Sequence, residues 1–263
     1  MALTQQNRKT ASDLLYRHWQ DQTRLDTLPQ DLRPATRAEG YRVQACIMDH
    51  TTRPLFGWKI AATSVAGQAH INVDGPLAGR LLAERVIEDG GDCPLGNNLM
   101  RVAEMEFAFR MGADLAPRAA PYTQDEVMAA VATLHPAIEI PDSRYEDFTA
   151  VGLAQLVADN ACAHRFVLGP AATADWRAID LAAHPVRAFK GDAPAGEGSG
   201  ANVLGDPRIA LTWLANELSR HGLTLRAGEV VTTGTCLKPV EIAAGDRVRG
   251  DFGALGMVSL AIT

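Results

Sequence analysis

Two glutamates separated by one residue, Glu104 and Glu106 in the run RVAEMEFAFR, carry the strongest chemical signal in this sequence. Successive side chains of a strand point to opposite faces, so Val102, Glu104, Glu106 and Ala108 share one side while Ala103, Met105, Phe107 and Phe109 share the other. The second side reads as core. The two carboxylates then stand about 6.6 Å apart at their Cα atoms, from roughly 3.3 Å of rise per residue, and their charges repel. Such a pair is tolerated on an open, solvated face, or around a hard cation that takes oxygen ligands at about 2.0 to 2.1 Å, as magnesium does. A third carboxylate, Glu139 in HPAIEIPD, falls on the face opposite Ile138 and Ile140. It is either an edge-strand group pointing to water or a partly buried ligand whose ionised form needs a cation. Lys59 is isolated between Trp58 and Ile60 in the apolar run FGWKIAATS. In a cleft, a lysine there can have a lowered pKa and move protons, or it can polarise an oxyanion; on an edge strand it would discourage sheet pairing.

These residues need a scaffold, and 263 residues with 47% apolar and 21% charged side chains are enough for one large catalytic domain with a helical appendage. That balance excludes a disordered chain, a collagen-like chain and a disulfide scaffold. Lys and Arg number 25 against 31 Asp and Glu, a net charge of -6 without a basic stripe, so nucleic acid is not an expected partner. No apolar stretch approaches the roughly 20 residues that span a bilayer, and the opening MALTQQNRKT lacks the apolar segment of a secretion signal. The expected location is the cytoplasm, away from membranes. Cys46, Cys93, Cys162 and Cys236 are widely spaced, which argues for small core residues in a reducing compartment over a zinc or redox motif.

The first 50 residues read as helical, with Leu14, Leu15 and Trp19 on one face and a break between Pro29 and Pro34. Thr36 and Glu39 predict a reciprocal capping box opening a second helix that runs to about Asp49. From Phe56 the pattern changes to short β runs: FGWKIAAT, MRVAEMEFAFRMG, HPAIEIPD, EVVTTGT, and DRVRGDFG with MVSLAIT around a turn at Gly253 to Gly256. Helices are expected after Thr123 with Glu126, across Ala150 to Ala161, and from Asp206–Pro207 to Gly222. The patch GDAPAGEGSG, residues 191 to 200, reads as a loop, with Gly198 and Gly200 giving flexibility or close backbone approach rather than a phosphate cradle. The expected organisation is a helical region over 1–52 and a catalytic domain over 53–263.

GWKIAATS, the E-M-E strand, AIEIPDSR, the VADNA segment and the closing TTGT...AGDRVRGDFGALG resemble, in order and spacing, the 2-oxopent-4-enoate hydratase and 4-oxalocrotonate decarboxylase branch of the fumarylacetoacetate hydrolase superfamily. The resemblance covers roughly residues 36 to 263. It implies an α+β fold, a mixed β-sandwich roll, and a Mg2+ or Mn2+ ion bound by Glu104, Glu106 and Glu139, with Lys59 as the catalytic lysine. It also implies a homo-oligomer, a small 2-oxo acid substrate, and substrate contacts from Thr235, which otherwise simply ends a strand, and from Cys162. Two positions depart from the family pattern. Leu77 stands where relatives carry an acid, with Asp74 three residues earlier, and Cys162 replaces a common serine.

The implied reaction is metal-dependent hydration of a 2-hydroxy-2,4-dienoate to a 4-hydroxy-2-oxo acid, a lyase step in aromatic catabolism. The same enolate chemistry serves decarboxylation of a vinylogous 2-oxo acid, so the ligand set leaves both reactions open. Acylpyruvate C–C hydrolysis is disfavoured, since its lid motif H-x-x-E is missing and His18 with Asp21 is the nearest pattern. A non-catalytic 2-oxo acid binding protein is the alternative outside catalysis. His50, His70 and His164 have no base or ligand partner at a telling spacing.

Overall fold

A computed structural model describes residues 2–263. In chain order its helices are α1 (Gln5–Asp21), α2 (Arg37–Ala45), α3 (Val65–His70), α4 (Gln124–Ala129), α5 (Leu153–Ala158) and α6 (Pro207–Arg220). Its strands are β1 (Leu55–Ala61), β2 (Leu77–Leu82), β3 (Val86–Ile87), β4 (Asp92–Cys93), β5 (Val102–Met111), β6 (Val131–Ile140), β7 (Arg165–Leu168), β8 (Pro185–Lys190), β9 (Ala193–Ser199), β10 (Val230–Thr235), β11 (Val240–Glu241), β12 (Arg247–Asp251) and β13 (Met257–Ile262). This is an α+β fold. One mixed sheet has the order β2-β1-β10-β5-β6-β7-β3, with β11 added to the end of β5, and a second has the order β4-β13-β12-β8-β9.

The alternation in β5 does what its pattern requires. Met105, Phe107 and Phe109 are fully buried, and Phe107 meets Phe252, just beyond β12, edge-on at 5.2 Å between ring centroids. Burying each phenylalanine contributes about 1.5–3 kcal/mol, so this face fixes the register of the strand. The other face of the same strand is thereby committed to carry Glu104 and Glu106.

The amino-terminal helices lie against this body. Leu15 of α1 and Val43 of α2 form an apolar cluster with Leu28, Tyr145 and Ala158, and Trp19 Nε1 donates to His164 Nδ1 at 2.6 Å. Among the described residues no helix is long and apolar enough to cross a membrane.

Several local expectations change in the structure. Thr36 caps α2 by accepting from Glu39 N, but Glu39 does not return the bond; its carboxylate takes Leu3 N and Ala35 N, tying down the preceding chain. Thr123 and Glu126 do form the reciprocal box. The second helix stops at Ala45 and continues as a 3-10 turn over Cys46–His50. The segment expected as a loop at 191–200 is largely β9, whose backbone pairs with β8 although its side chains show no apolar alternation.

Candidate active site

Antiparallel pairing of β5 with β6 sets Glu104 directly opposite Glu139, and Glu106 opposite Ala137. The three carboxylates share one face, and one oxygen from each lies within 4.8 Å of the others. Glu106 and Glu139 are fully buried. Like charges directly across a ladder destabilise it, and here the dielectric is low as well. Burial pushes Glu106 well above the usual carboxylate range, and the charges of Glu139 and Glu104 add to the shift. Burial also raises Glu139, to about 7 against the pull of Lys59, and it raises Glu104.

Glu106 is aimed by β10. Its Oε2 accepts from Gly234 N at 2.7 Å and from the Thr232 hydroxyl. Gly234 has φ +101, and a Cβ there would stand 2.0 Å from Thr63 Oγ1, so only glycine fits this register-shifted point of the strand. Glu106 Oε1 and Glu139 Oε1 are buried and have no hydrogen-bond partner. Three converging acids with unpartnered buried oxygens fit a hard divalent cation, which would supply the missing charge.

Lys59 belongs to an interior strand, since β1 pairs with β10 on one side and β2 on the other. Its ammonium is 3.0 Å from Glu139 Oε2 and donates to Ala161 O at 3.0 Å. Burial works to lower its pKa, but Glu139 first, and then Glu104, more than reverse the effect, leaving it above its ordinary value. The expectation of a lowered pKa thus gives way to a lysine held protonated, suited to donate to an oxyanion.

The carboxylates and lysine open onto a cavity of about 750 Å³ lined by Lys59, Glu104, Cys162, Thr235, Leu77 and Phe148 among others. Thr235 Oγ1 donates to Leu237 O at 2.7 Å. Cys162 is buried, and burial pushes its thiol up to about 12, so it lines the wall as a neutral group. Leu77 is buried at the start of β2. Asp74 does not replace the family acid: its side chain is 84% exposed and paired with Arg37 at 2.9 Å.

The histidines separate. His70 lines the cavity, edge-on to Phe148 at 6.0 Å. His50 stacks on Tyr16 beside Asp13, and His164 is buried under Trp19. Gly198 and Gly200 allow close backbone approach, since a Cβ at either would meet a carbonyl oxygen at 2.1 and 2.0 Å respectively. Sequence reasoning passed over Thr232 and Gly234. A glycine interrupting a threonine-rich strand is the signal of a bulge and marks where a backbone N–H turns inward.

Comparison with known proteins decides the family. Residues 83–262 match the family model described as fumarylacetoacetate (FAA) hydrolase C-terminal. The chain belongs to the fumarylacetoacetate hydrolase family. A 2-keto-4-pentenoate hydratase from Dechloromonas aromatica is 37% identical over 79% of this chain and 77% of its own. Another from Paraburkholderia xenovorans is 31% identical over 97% of this chain and 95% of its own. Among solved structures, the 4-oxalocrotonate decarboxylase of Pseudomonas putida G7, complexed with magnesium and adipate, superposes with a TM-score of 0.89 at 28% identity, covering 99% of both chains. A calcium and acetate complex of the same decarboxylase superposes with a TM-score of 0.88.

Proposed function

We propose that this family member is a metal-dependent hydro-lyase that converts 2-hydroxy-2,4-dienoates to 4-hydroxy-2-oxo acids, with Glu104, Glu106 and Glu139 as the ligands of one Mg2+ or Mn2+ ion. The observation that carries this reading is the convergence of three buried or half-buried carboxylates on one point beside a protonated lysine, at the wall of a cavity large enough for a small acid. The hydratase names of the relatives support it. We read the two sheets, joined through Phe107 and Phe252, as the layers of the family's mixed sandwich roll.

A divalent cation held by Glu104, Glu106 and Glu139 would supply Lewis acidity and orient the substrate acid. Lys59 donates to the substrate's C2 oxygen. Ala161 O takes one of its N–H groups and Glu139 is its ion-pair partner at 3.0 Å, and a free N–H serves the oxygen on which negative charge develops during ketonisation. Thr235 and Cys162 contact the substrate, while Leu77, Phe148 and Leu156 form an apolar wall beside the diene, in a cavity that also admits the one water molecule that adds to it. The overall charge of -6 does not attract an anion, so capture depends on the cation and Lys59.

Loss of dienol ultraviolet absorbance on adding the purified chain with Mg2+, accompanied by a 4-hydroxy-2-oxo acid and no CO2, is the expected result. Unchanged absorbance would overturn the proposal. Decarboxylation is the second reading, favoured by the 0.89 superposition on the decarboxylase. CO2 released in step with substrate loss would select it.

A further inference from the structure

Behind Lys59 the chain makes a left-handed turn without glycine. Asn160, Ala161 and Cys162 have φ of 56°, 50° and 61°. For residues other than glycine this conformation is strained, asparagine being the most tolerant, so three in succession persist only where surrounding contacts over-determine them.

Those contacts are present on both sides of the turn. Asp159, fully buried, accepts from Ser143 Oγ at 2.8 Å and Arg144 N at 3.0 Å and pairs with the Arg144 guanidinium. Asn160 grips the backbone of β2 with both ends of its amide: Oδ1 accepts from Arg80 N at 2.6 Å and Nδ2 donates to Arg80 O at 2.8 Å. Within the turn, Asn160 O is taken by Ala163 N and Cys162 O by Asp142 N. Ala161 O is the carbonyl left over, and Lys59 Nζ takes it at 3.0 Å. The packing leaves no slack, because a Cβ at Gly79 of β2 would stand 2.3 Å from Asn160 O and 3.0 Å from Lys59 Cγ.

We propose that Asn160 is a positioning residue: by clamping the turn to the Arg80 backbone it presents Ala161 O to Lys59 and so aims the lysine's remaining N–H into the cavity. The effect on turnover rests on the hydro-lyase reading above; the geometric claim does not. Without the clamp the Ala161 carbonyl would swing away and leave the lysine free to move.

Two glycine substitutions in the same turn separate a clamp from a mere need for left-handed backbone. Asn160→Gly relieves strain but removes both Arg80 bonds, whereas Ala161→Gly relieves strain and leaves the clamp intact. Asn160→Asp, the third variant, is isosteric and keeps the acceptor for Arg80 N but sets a carboxylate oxygen against Arg80 O. Each is measured for kcat and KM on a dienol, for Mn2+ binding, and for the rate at which Lys59 is methylated by formaldehyde and borohydride, read by mass spectrometry. Expected for Asn160→Gly are a kcat lower by about 30- to 100-fold, consistent with a misplaced proton donor, KM and Mn2+ binding within about twofold, and Lys59 methylation at least about tenfold faster. Ala161→Gly should match wild type, and Asn160→Asp should lose kcat and gain Lys59 reactivity as Asn160→Gly does.

Wild-type kcat and Lys59 reactivity in Asn160→Gly, or in Asn160→Asp should the glycine variant not fold, would overturn the proposal. So would an equal loss in Ala161→Gly. A wild-type protein inactive on every dienol would defeat the hydro-lyase reading, while the methylation rates would still decide whether Asn160 holds Lys59.

Discussion

Glu104 and Glu139 face each other as register partners across the β5–β6 ladder, with Glu106 two residues along the same face. The cation within this group is Lys59, at 3.0 Å from Glu139, and the charge of Arg144 adds a smaller pull on Glu139. A ladder built this way is less stable than one with neutral residues.

Stability and ligand binding should therefore move in opposite directions at Glu106. Glu106→Gln removes the cost of burying an ionisable acid beside two others and keeps the volume, so the metal-free protein should gain about 1 kcal/mol, or roughly 2–4 °C in melting temperature for a chain of this size. The same variant should lose the rise in melting temperature that Mn2+ gives the wild type. Thermal melts with and without Mn2+ check both, and a variant that melts lower yet still responds to Mn2+ would contradict this account.

The pH dependence has a definite sign. Glu139 keeps its proton up to about 7 in the folded chain, against an ordinary value of 4.5, because it is buried, and Glu106 and Glu104 shift the same way. Between those values the folded state binds more protons than the unfolded state, so metal-free stability falls as pH rises through that interval. A cation must displace these protons, so its stabilising effect grows over the same range. The Mn2+-induced shift in melting temperature should be larger at pH 7.5 than at pH 5.5; equal shifts would contradict the assignment.

Lys59→Met keeps the length of the side chain and removes its donors. Turnover should fall by about 10²- to 10⁴-fold while Mn2+ stays bound, since in the proposed mechanism the lysine holds the substrate oxygen and is not a metal ligand. Full turnover with full metal content would remove Lys59 from the mechanism.

Much of this site was legible because its signals are local. The two faces of β5 follow from period-two alternation, and Lys59 stands out as a charge in an apolar run. The fully buried β2 run LAGRLL escaped notice because Gly79 and Arg80 break its pattern, and β9 because pairing with β8 depends on backbone alone. The Asn160–Arg80 clamp joins residues 80 positions apart, and no spacing rule reaches that far. Glu39 shows the converse: its spacing from Thr36 fits a capping box, but the backbone N–H groups of Leu3 and Ala35 lie closer to hand and take both oxygens.

His164 gives a prediction away from the site. Burial, then Arg144, Arg165, Arg85 and Arg24, depress its pKa to about 2, so it stays neutral and accepts from Trp19 Nε1. A group with a depressed folded pKa contributes stability above its unfolded value, about 6.5, and loses it as pH falls below that. His164→Gln keeps an acceptor but cannot titrate. Its stability deficit relative to wild type should shrink by up to about 1.4 kcal/mol per pH unit below 6.5, as read from urea melts at pH 7 and pH 5. Parallel curves would contradict this.

Anomalous scattering from crystals soaked in Mn2+ would locate the ion. One strong peak is expected within bonding distance of oxygens from Glu104, Glu106 and Glu139 together, beside Lys59 at the cavity wall. A peak bound elsewhere, or no peak with the three carboxylates still converged, would contradict that assignment.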